Sequence, residues 1–226
     1  MKKIIFLIGL LITTNFYCQN NREETSMKDI IQLSSPMYES STSVEEALLN
    51  RRSVRDYKTE SLSLSEVSQI LWSAQGIADT AEGLRTAPSA GALYPLEVYL
   101  VAANVKDLNP GIYKYNPQNH ILQKISEGDK LVEISDASLK QESINNSSAI
   151  VVITAIYERT SVKYGNRTER YVDMEVGHVG QNIYLQAVSL GLGTVMVGAF
   201  NDEALKKALA LPEEEHPLAL YPIGRY

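Results

Sequence analysis

Cysteine is almost missing from this chain: Cys18 is the only one in 226 residues. It lies at the end of an N-terminal stretch that reads as an export signal: Lys2 and Lys3, an apolar run from Ile4 to Ile12, and a polar end at Asn15 to Asn20. Cleavage after Cys18 or Gln19 leaves no thiol, which excludes a disulfide, an iron–sulfur cluster or a thiolate metal site. A lipid-modified Cys18 is the alternative outcome at that position, although Asn15-Phe16-Tyr17 departs from the small residues such a site needs. Either way the expected location is outside the cytoplasm, in the periplasm or cell envelope. The apolar run is too short to cross a bilayer, so no membrane span is expected. Histidine is scarce too. His120, His178 and His216 are far apart in sequence, and no metal site is expected. There is no Gly-x-Gly-x-x-Gly after a strand-like stretch, no nucleophile elbow or Ser-His-Asp order, and no internal repeat. Net charge is -6, the isoelectric point is about 5.2, and the basic residues form no stripe, so nucleic acid is not an expected partner.

What is present divides simply. Residues 1–19 are the signal, the polar and Ser-rich residues 20–42 read as a flexible lead-in, and residues 43–226 make one domain. Ser43 to Asn50 reads as a short helix with Ser43 as N-cap. Ser63 to Gln75 is a helix opened by a Ser63/Glu66 capping box and closed at Gly76, with Val67, Ile70, Leu71 and Ala74 on one face. Glu97 to Ala103 is strand-like. Ile112 to Tyr115 and Ile121 to Ile125 form a hairpin about Asn116-Pro117-Gln118-Asn119. A helix is expected over 129–139, a central strand over 149–156, and a long helix over 175–190 with Val176, Val179, Ile183, Ala187 and Leu190 aligned. A buried strand over 194–197, a short helix over 202–210 and a last strand over 218–223 follow. The central strands alternate weakly, which predicts a sheet covered on both faces in a three-layer α/β or α+β domain.

Four segments carry residues suited to chemistry. Arg51, Arg52, Ser53 and Arg55 follow the first helix; rigid guanidinium forks and a short hydroxyl suit a phosphate, and such a cluster equally reads as a solvated charge run. Pro88-Ser89-Ala90-Gly91-Ala92-Leu93-Tyr94-Pro95 holds small residues between two prolines, either a tight loop or a backbone edge open to a flat ligand. Val197-Gly198-Ala199 ends a strand and can aim backbone groups at a ligand. Lys163 and Tyr164 sit in a polar stretch before the long helix. Both titrate near 10 when unperturbed, so either needs a neighbour or burial to move a proton at neutral pH. His178 and Gln181 share a face of the long helix.

In their order along the chain, these segments resemble the nitroreductase superfamily, and within it the SagB-type dehydrogenase (thiazole/oxazole oxidase) branch. The resemblance rests on Arg51 to Tyr57, Pro88 to Pro95, Lys163-Tyr164-Gly165, Gly177 to Asn182, Gly191-Leu192-Gly193 and Pro222 to Arg225, and runs from about residue 44 to the end. It implies a three-layer α+β sandwich around a mixed central sheet, a homodimer, and FMN at the subunit interface. It also implies roles. Arg51 and Ser53, with Arg52 beside them, would hold phosphate or ribityl oxygens. Arg55 would lie near the pyrimidine edge, where a cation favours the reduced ring. Pro88, Ser89, Ala90 and Gly91 would line the ring, in part from the other subunit. Val197 and Gly198 would face the ring, and Arg225 would reach the phosphate. Lys163 and Tyr164 match the pair that takes a proton from an azoline, and either could be the base. The implied activity is an FMN-dependent oxidoreductase acting on a small organic or peptide-derived substrate. The alternatives are an NAD(P)H-dependent nitro or quinone reductase and a flavin-binding protein without turnover.

Overall fold

A computed structural model describes residues 29–226; the expected signal and Cys18 lie outside the described residues. In chain order the strands are β1 (Ile30–Gln32), β2 (Ile77–Asp79), β3 (Leu84–Arg85), β4 (Leu96–Ala102), β5 (Gly111–Asn116), β6 (Ile121–Glu127), β7 (Ala149–Ala155), β8 (Gly193–Thr194) and β9 (His216–Gly224). The helices are α1 (Val44–Asn50), α2 (Leu64–Gln75), α3 (Leu131–Ala137), α4 (Glu142–Asn145), α5 (Glu158–Tyr164), α6 (Thr168–Ser189) and α7 (Asp202–Leu209). Seven strands form one sheet in the order β1-β6-β5-β4-β7-β9-β8. Its strand pairs are all antiparallel. Among the described residues, parallel pairing is confined to the single bridges Ser53–Thr194 and Leu62–Val105, so the expected mixed sheet is mixed only through them. β2 and β3 make a small separate hairpin.

The weak alternation of the central strands has the cause expected of it. In β7, Ala149, Val151, Ile153 and Ala155 pack with the apolar faces of α2 and α6. Ile150 and Val152 face the other way, toward α3 and α7. β4 divides likewise, with Val98, Leu100 and Ala102 on one side and Tyr99 and Val101 on the other. A strand buried on both faces needs an apolar residue at nearly every position. The result is the three-layer α+β sandwich.

Helix starts follow local chemistry. Ser63 and Glu66 form the capping box reciprocally, and Ser43 and Asn201 accept from the third residue of their helices. Three expectations need correction. The lead-in is not free along its whole length. Residues 30–32 pair with the open edge of β6, and Leu33 is buried. Gln69 then exchanges two hydrogen bonds with the Met37 backbone, at 2.8 and 3.0 Å. Its polar composition concealed this, because what holds it is backbone pairing and two α2 side chains rather than a large apolar face. The long helix starts seven residues earlier than its apolar stripe suggested, at Thr168; Val172 extends the buried face. The strand expected over 194–197 is reduced to β8 and one bridge from Val197 to Leu220.

α6 lies close on β9 at Gly180. A Cβ built there stands 2.9 Å from Tyr221 Cζ and closer still to the hydroxyl. We expect Gly180→Ala to destabilise the fold by about 1–3 kcal/mol, the usual cost of overpacking. A lowered midpoint in urea unfolding at unchanged slope checks this.

Candidate active site

Lys163 and Tyr164 are not in a loop. They form the last turn of α5, which stops at Gly165 (φ 49°). Arg159, one turn earlier, anchors that helix: its guanidinium bonds Glu97 at 2.5 Å and the Tyr94 carbonyl at 3.0 Å. The polar stretch that carries the pair is therefore pinned to the start of β4, while Lys163 itself stays exposed.

The small-residue segment folds into a tight turn against this pair. Ser89 Oγ accepts from Tyr94 N–H at 2.9 Å, and the Ser89 carbonyl accepts from Ala92 N–H at 3.0 Å. Gly91, Ala92 and Tyr94 all have left-handed φ, at 64°, 55° and 46°. Such backbone costs an alanine or tyrosine about 1 kcal/mol or more each. A Cβ at Gly91 would stand 2.8 Å from Tyr164 Oη and 2.9 Å from Lys163 Nζ. Two segments about 70 residues apart in sequence, each ambiguous alone, meet at one point of the fold. Tyr164 stacks edge-on against Tyr171 of α6 at 4.9 Å between centroids, and Lys163 Nζ lies 5.5 Å from the Tyr164 ring centre.

The arginine segment lies elsewhere. The Arg51 guanidinium sits 5.1 Å over the Tyr184 ring, and Ser53 Oγ is 3.3 Å from Tyr184 Oη. Tyr184 Oη also accepts from Met196 N–H at 2.8 Å, and the Ser53 backbone pairs with Thr194. Among the described residues, Arg51, Arg52 and Arg55 form no ion pair. Tyr184 and Tyr171 are thirteen positions apart on α6, roughly 20 Å along the helix axis. Within the chain the cations and the Lys-Tyr pair thus sit toward opposite ends of α6.

Several expected site residues are placed otherwise. Arg52 donates to the Leu49 and Arg51 carbonyls at 2.9 and 2.8 Å, closing the end of α1. Arg225 is held by Glu66, whose two oxygens each accept from Nη2 at 3.0 Å. It extends the α2 capping box instead of standing free for a phosphate. Val197 is in the core against α7, and both its backbone groups bond Leu220, so it offers nothing to a ring. Gly198 is exposed, with only the Met196 methyl within 4 Å of a Cβ built on it. Pro88 is exposed, and Ser89 and Ala90 are half-buried beside it. His178 and Gln181 point outward. No group of His, Cys, Asp or Glu among the described residues is arranged to hold a metal.

Sequence reading missed the polar cluster beneath the turn. Glu175, 2 % exposed on α6, faces Arg85 of β3, Gln75 of α2 and Ser89. Burial pushes its carboxyl up to about 7, against the opposing pull of Ser89, Arg85 and Gln75. Arg85 Nη1 donates to Gln75 Oε1 at 2.9 Å, and its guanidinium lies 4.5 Å over the Tyr94 ring. The one available signal was register. Glu175 lies between Val172, Val176 and Val179 on the face that turns inward, where an acid is out of place unless it has partners.

Residues fit for FMN are present. A phosphate calls for cations without carboxylate partners and a nearby hydroxyl, and Arg51 and Ser53 provide these. A flat ring calls for backbone without bulky side chains, and Ala90, Gly91 and Ala92 provide it. The remaining expected cation, Arg55, is exposed.

The layered fold is that of an oxidoreductase family, and similarity to known proteins identifies which one. Residues 48–225 match the profile of the nitroreductase family, and the chain belongs to that family. It is 45% identical over 199 residues to a protein of Methanocaldococcus jannaschii named among the nitroreductases, covering 88% of this chain and 98% of that one. It is 27% identical to the microcin B17-processing protein McbC of Escherichia coli over 67% of this chain, but spans only 58% of that protein. A crystal structure from Ralstonia eutropha, titled as a nitroreductase, superposes with a TM-score of 0.76 at 28% identity, covering 87% of this chain and 89% of that one. The E. coli microcin synthetase McbBCD complex shares the fold, with a TM-score of 0.67 at 22% identity over 98% of this chain and 84% of the other.

Two outcomes follow from the site. Gly91→Ala adds a methyl where Lys163 Nζ and Tyr164 Oη now stand, in a left-handed backbone, and should displace the pair at a cost of about 1–2 kcal/mol. Turnover is expected to fall much more than the melting temperature does, and paired kinetic and thermal measurements check this. Glu175 sets a pH dependence. The folded protein holds its proton up to about 7, whereas the unfolded chain releases it near 4.5. The folded state therefore binds more protons in that window, and stability falls as pH rises through it, by at most about 3 kcal/mol. Urea unfolding across this window should show Glu175→Gln flattening that decline.

Proposed function

We propose that the protein is an FMN-dependent oxidoreductase of the SagB-type dehydrogenase kind, acting on a small organic or peptide-derived substrate. The observation that carries this reading is the contact of Gly91 with Lys163 and Tyr164, which sets a proton-transfer pair against the ring-lining turn. When bound, FMN supplies a ring that exchanges a hydride with the substrate. Arg51 and Ser53 would hold its phosphate end, and Arg55 would place positive charge near the pyrimidine edge of the ring. The turn at Ala90 to Ala92 orients the ring by presenting backbone. Lys163 or Tyr164 takes the proton from the substrate carbon, which requires the base within hydrogen-bond reach of that proton. The similarity to McbC supports this branch.

A homodimer completes the site in this reading. The two halves lie toward opposite ends of α6, and a two-fold axis that pairs two copies head to tail along this helix brings the cations of one to the turn of the other. The Lys2-Lys3 and Ile4 to Ile12 pattern supports export. A second reading, reduction of nitro compounds or quinones by NAD(P)H, is favoured by the 45% identity to the M. jannaschii protein. The two readings separate in a donor and acceptor screen: bleaching of bound flavin by NADPH and reoxidation by a quinone selects the second.

Arg51→Ala is expected to weaken FMN binding by about 1.5–3 kcal/mol, the scale of a hydrogen bond to a charged group. Lys163→Ala and Tyr164→Phe are expected to spare FMN affinity and lower turnover by about 100-fold or more. Fluorescence titration with FMN and steady-state kinetics check both. Unchanged FMN affinity in Arg51→Ala removes that residue from the site, and lost affinity in the pair variants makes the pair structural.

A further inference from the structure

We infer that Glu175 is a positioning residue for the active-site turn: from beneath, with Gln75 and Arg85, it holds Ser89 so that Gly91 stays against Lys163 and Tyr164. The inference starts from polar atoms that are buried without a complete partner. Gln75 Nε2, Arg85 Nε and Glu175 Oε1 are all enclosed and have no hydrogen-bond partner among the described residues. Buried polar groups are almost always satisfied, so three together need a reason. They are not scattered. Gln75 Oε1 accepts from Arg85, and Ser89, Arg85 and Gln75 all favour the ionised form of Glu175. The two donors and the carboxylate oxygen therefore gather in one loose polar socket, built from the end of α2, β3 and the middle of α6.

The socket has one link to the site, and that link is Ser89. Its Oγ accepts from Tyr94 N–H, which leaves its own hydrogen free to point toward Glu175. A hydroxyl set beside the carboxyl group is thereby bonded to the far end of the turn. Between Ser89 and Tyr94 lie the left-handed residues Gly91 and Ala92. Strained backbone of this kind persists only when its surroundings hold it. A second clamp acts on Tyr94: its Oη accepts from Arg85 N–H at 3.2 Å, and its ring lies under the Arg85 guanidinium. Arg85 thus touches both the socket and the end of the turn. The charged group facing Glu175 is Arg85, and the other contributors, Gln75 and Ser89, are neutral; Arg85 is faced in turn by Glu97 of β4 and Arg159 of α5.

Amide hydrogen exchange at Tyr94 tests the link in the full chain without cofactor or substrate. Glu175→Leu should speed exchange there by about 10-fold or more, while Glu175→Gln, which keeps an acceptor oxygen, should stay within about 3-fold of wild type. Ser89→Ala should match Glu175→Leu, and the double variant should be no worse than either alone, because both break one chain of bonds. Ser89→Ala should also raise the Glu175 titration midpoint followed by carbon NMR, since Ser89 favours the ionised form. Where Glu175→Leu does not fold, Ser89→Ala with that titration carries the test. Unchanged Tyr94 exchange in the folded variants, additive effects, or an unmoved Glu175 midpoint overturns the inference. The value of the turn for turnover rests on the function proposed above. The exchange and titration readouts do not, so the two can fail separately.

Discussion

Arg159 donates to Glu97 and to the Tyr94 carbonyl, and much of the site hangs on these two bonds. They fasten the first turn of α5 to the start of β4, and Lys163 follows one turn later on the same face. The Tyr94 carbonyl belongs to the turn that carries Gly91, so one guanidinium sets the helix that bears Lys163 and Tyr164 and the turn that bears Gly91 relative to each other. As energy, such a partly exposed pair contributes little. Its effect is geometric: the planar fork binds two acceptors at once and leaves α5 little freedom to roll or slide.

The same end of the sheet holds a second ionic group. Glu215 is buried and accepts from Tyr99 and Thr154 at 2.8 Å each and from Lys114 at 2.6 Å. Lys114 also reaches Glu97, at 3.4 Å. Burial, then the Glu215 charge, pushes the Tyr99 phenol well above its usual range and keeps it a donor. The acids and bases around Glu97 thus form a connected network between the sheet and α5. Removing one member of such a network leaves a buried charge without its partner, which costs more than the pair contributes. The site therefore sits on a rigid base, although its own backbone is strained at Ala92 and Tyr94.

Local pattern made much of this legible. Ser63 and Glu66 announced α2, the apolar run over 149–156 announced β7, and the two-sided burial of β4 and β7 could be read from their weak alternation. The order of the arginine, small-residue and Lys-Tyr segments pointed to the family. Other parts were hidden for physical reasons. Arg52 and Arg225 look like free cations in sequence, yet carbonyls at the end of α1 and the Glu66 carboxylate take them up. Val197 reads as a ring-facing strand end, yet its alternate position turns it into the core. The lead-in over 20–42 reads as polar and loose, yet the open edge of β6 pairs with residues 30–32 and the Gln69 side chain bonds the Met37 backbone.

By itself, then, the amino-acid order determined the main helices and central strands, the layered architecture and the family, because periodicity, caps and ordered motifs are properties of neighbouring residues. Only the tertiary structure decided which of the candidate groups share a site. The meeting of Gly91 with Lys163 and Tyr164, the separation of Arg51 from both along α6, and the burial of Glu175 under Ser89 are contacts across the fold. They depend on how close two backbones come and on what else each charge can bind, and no local pattern encodes either.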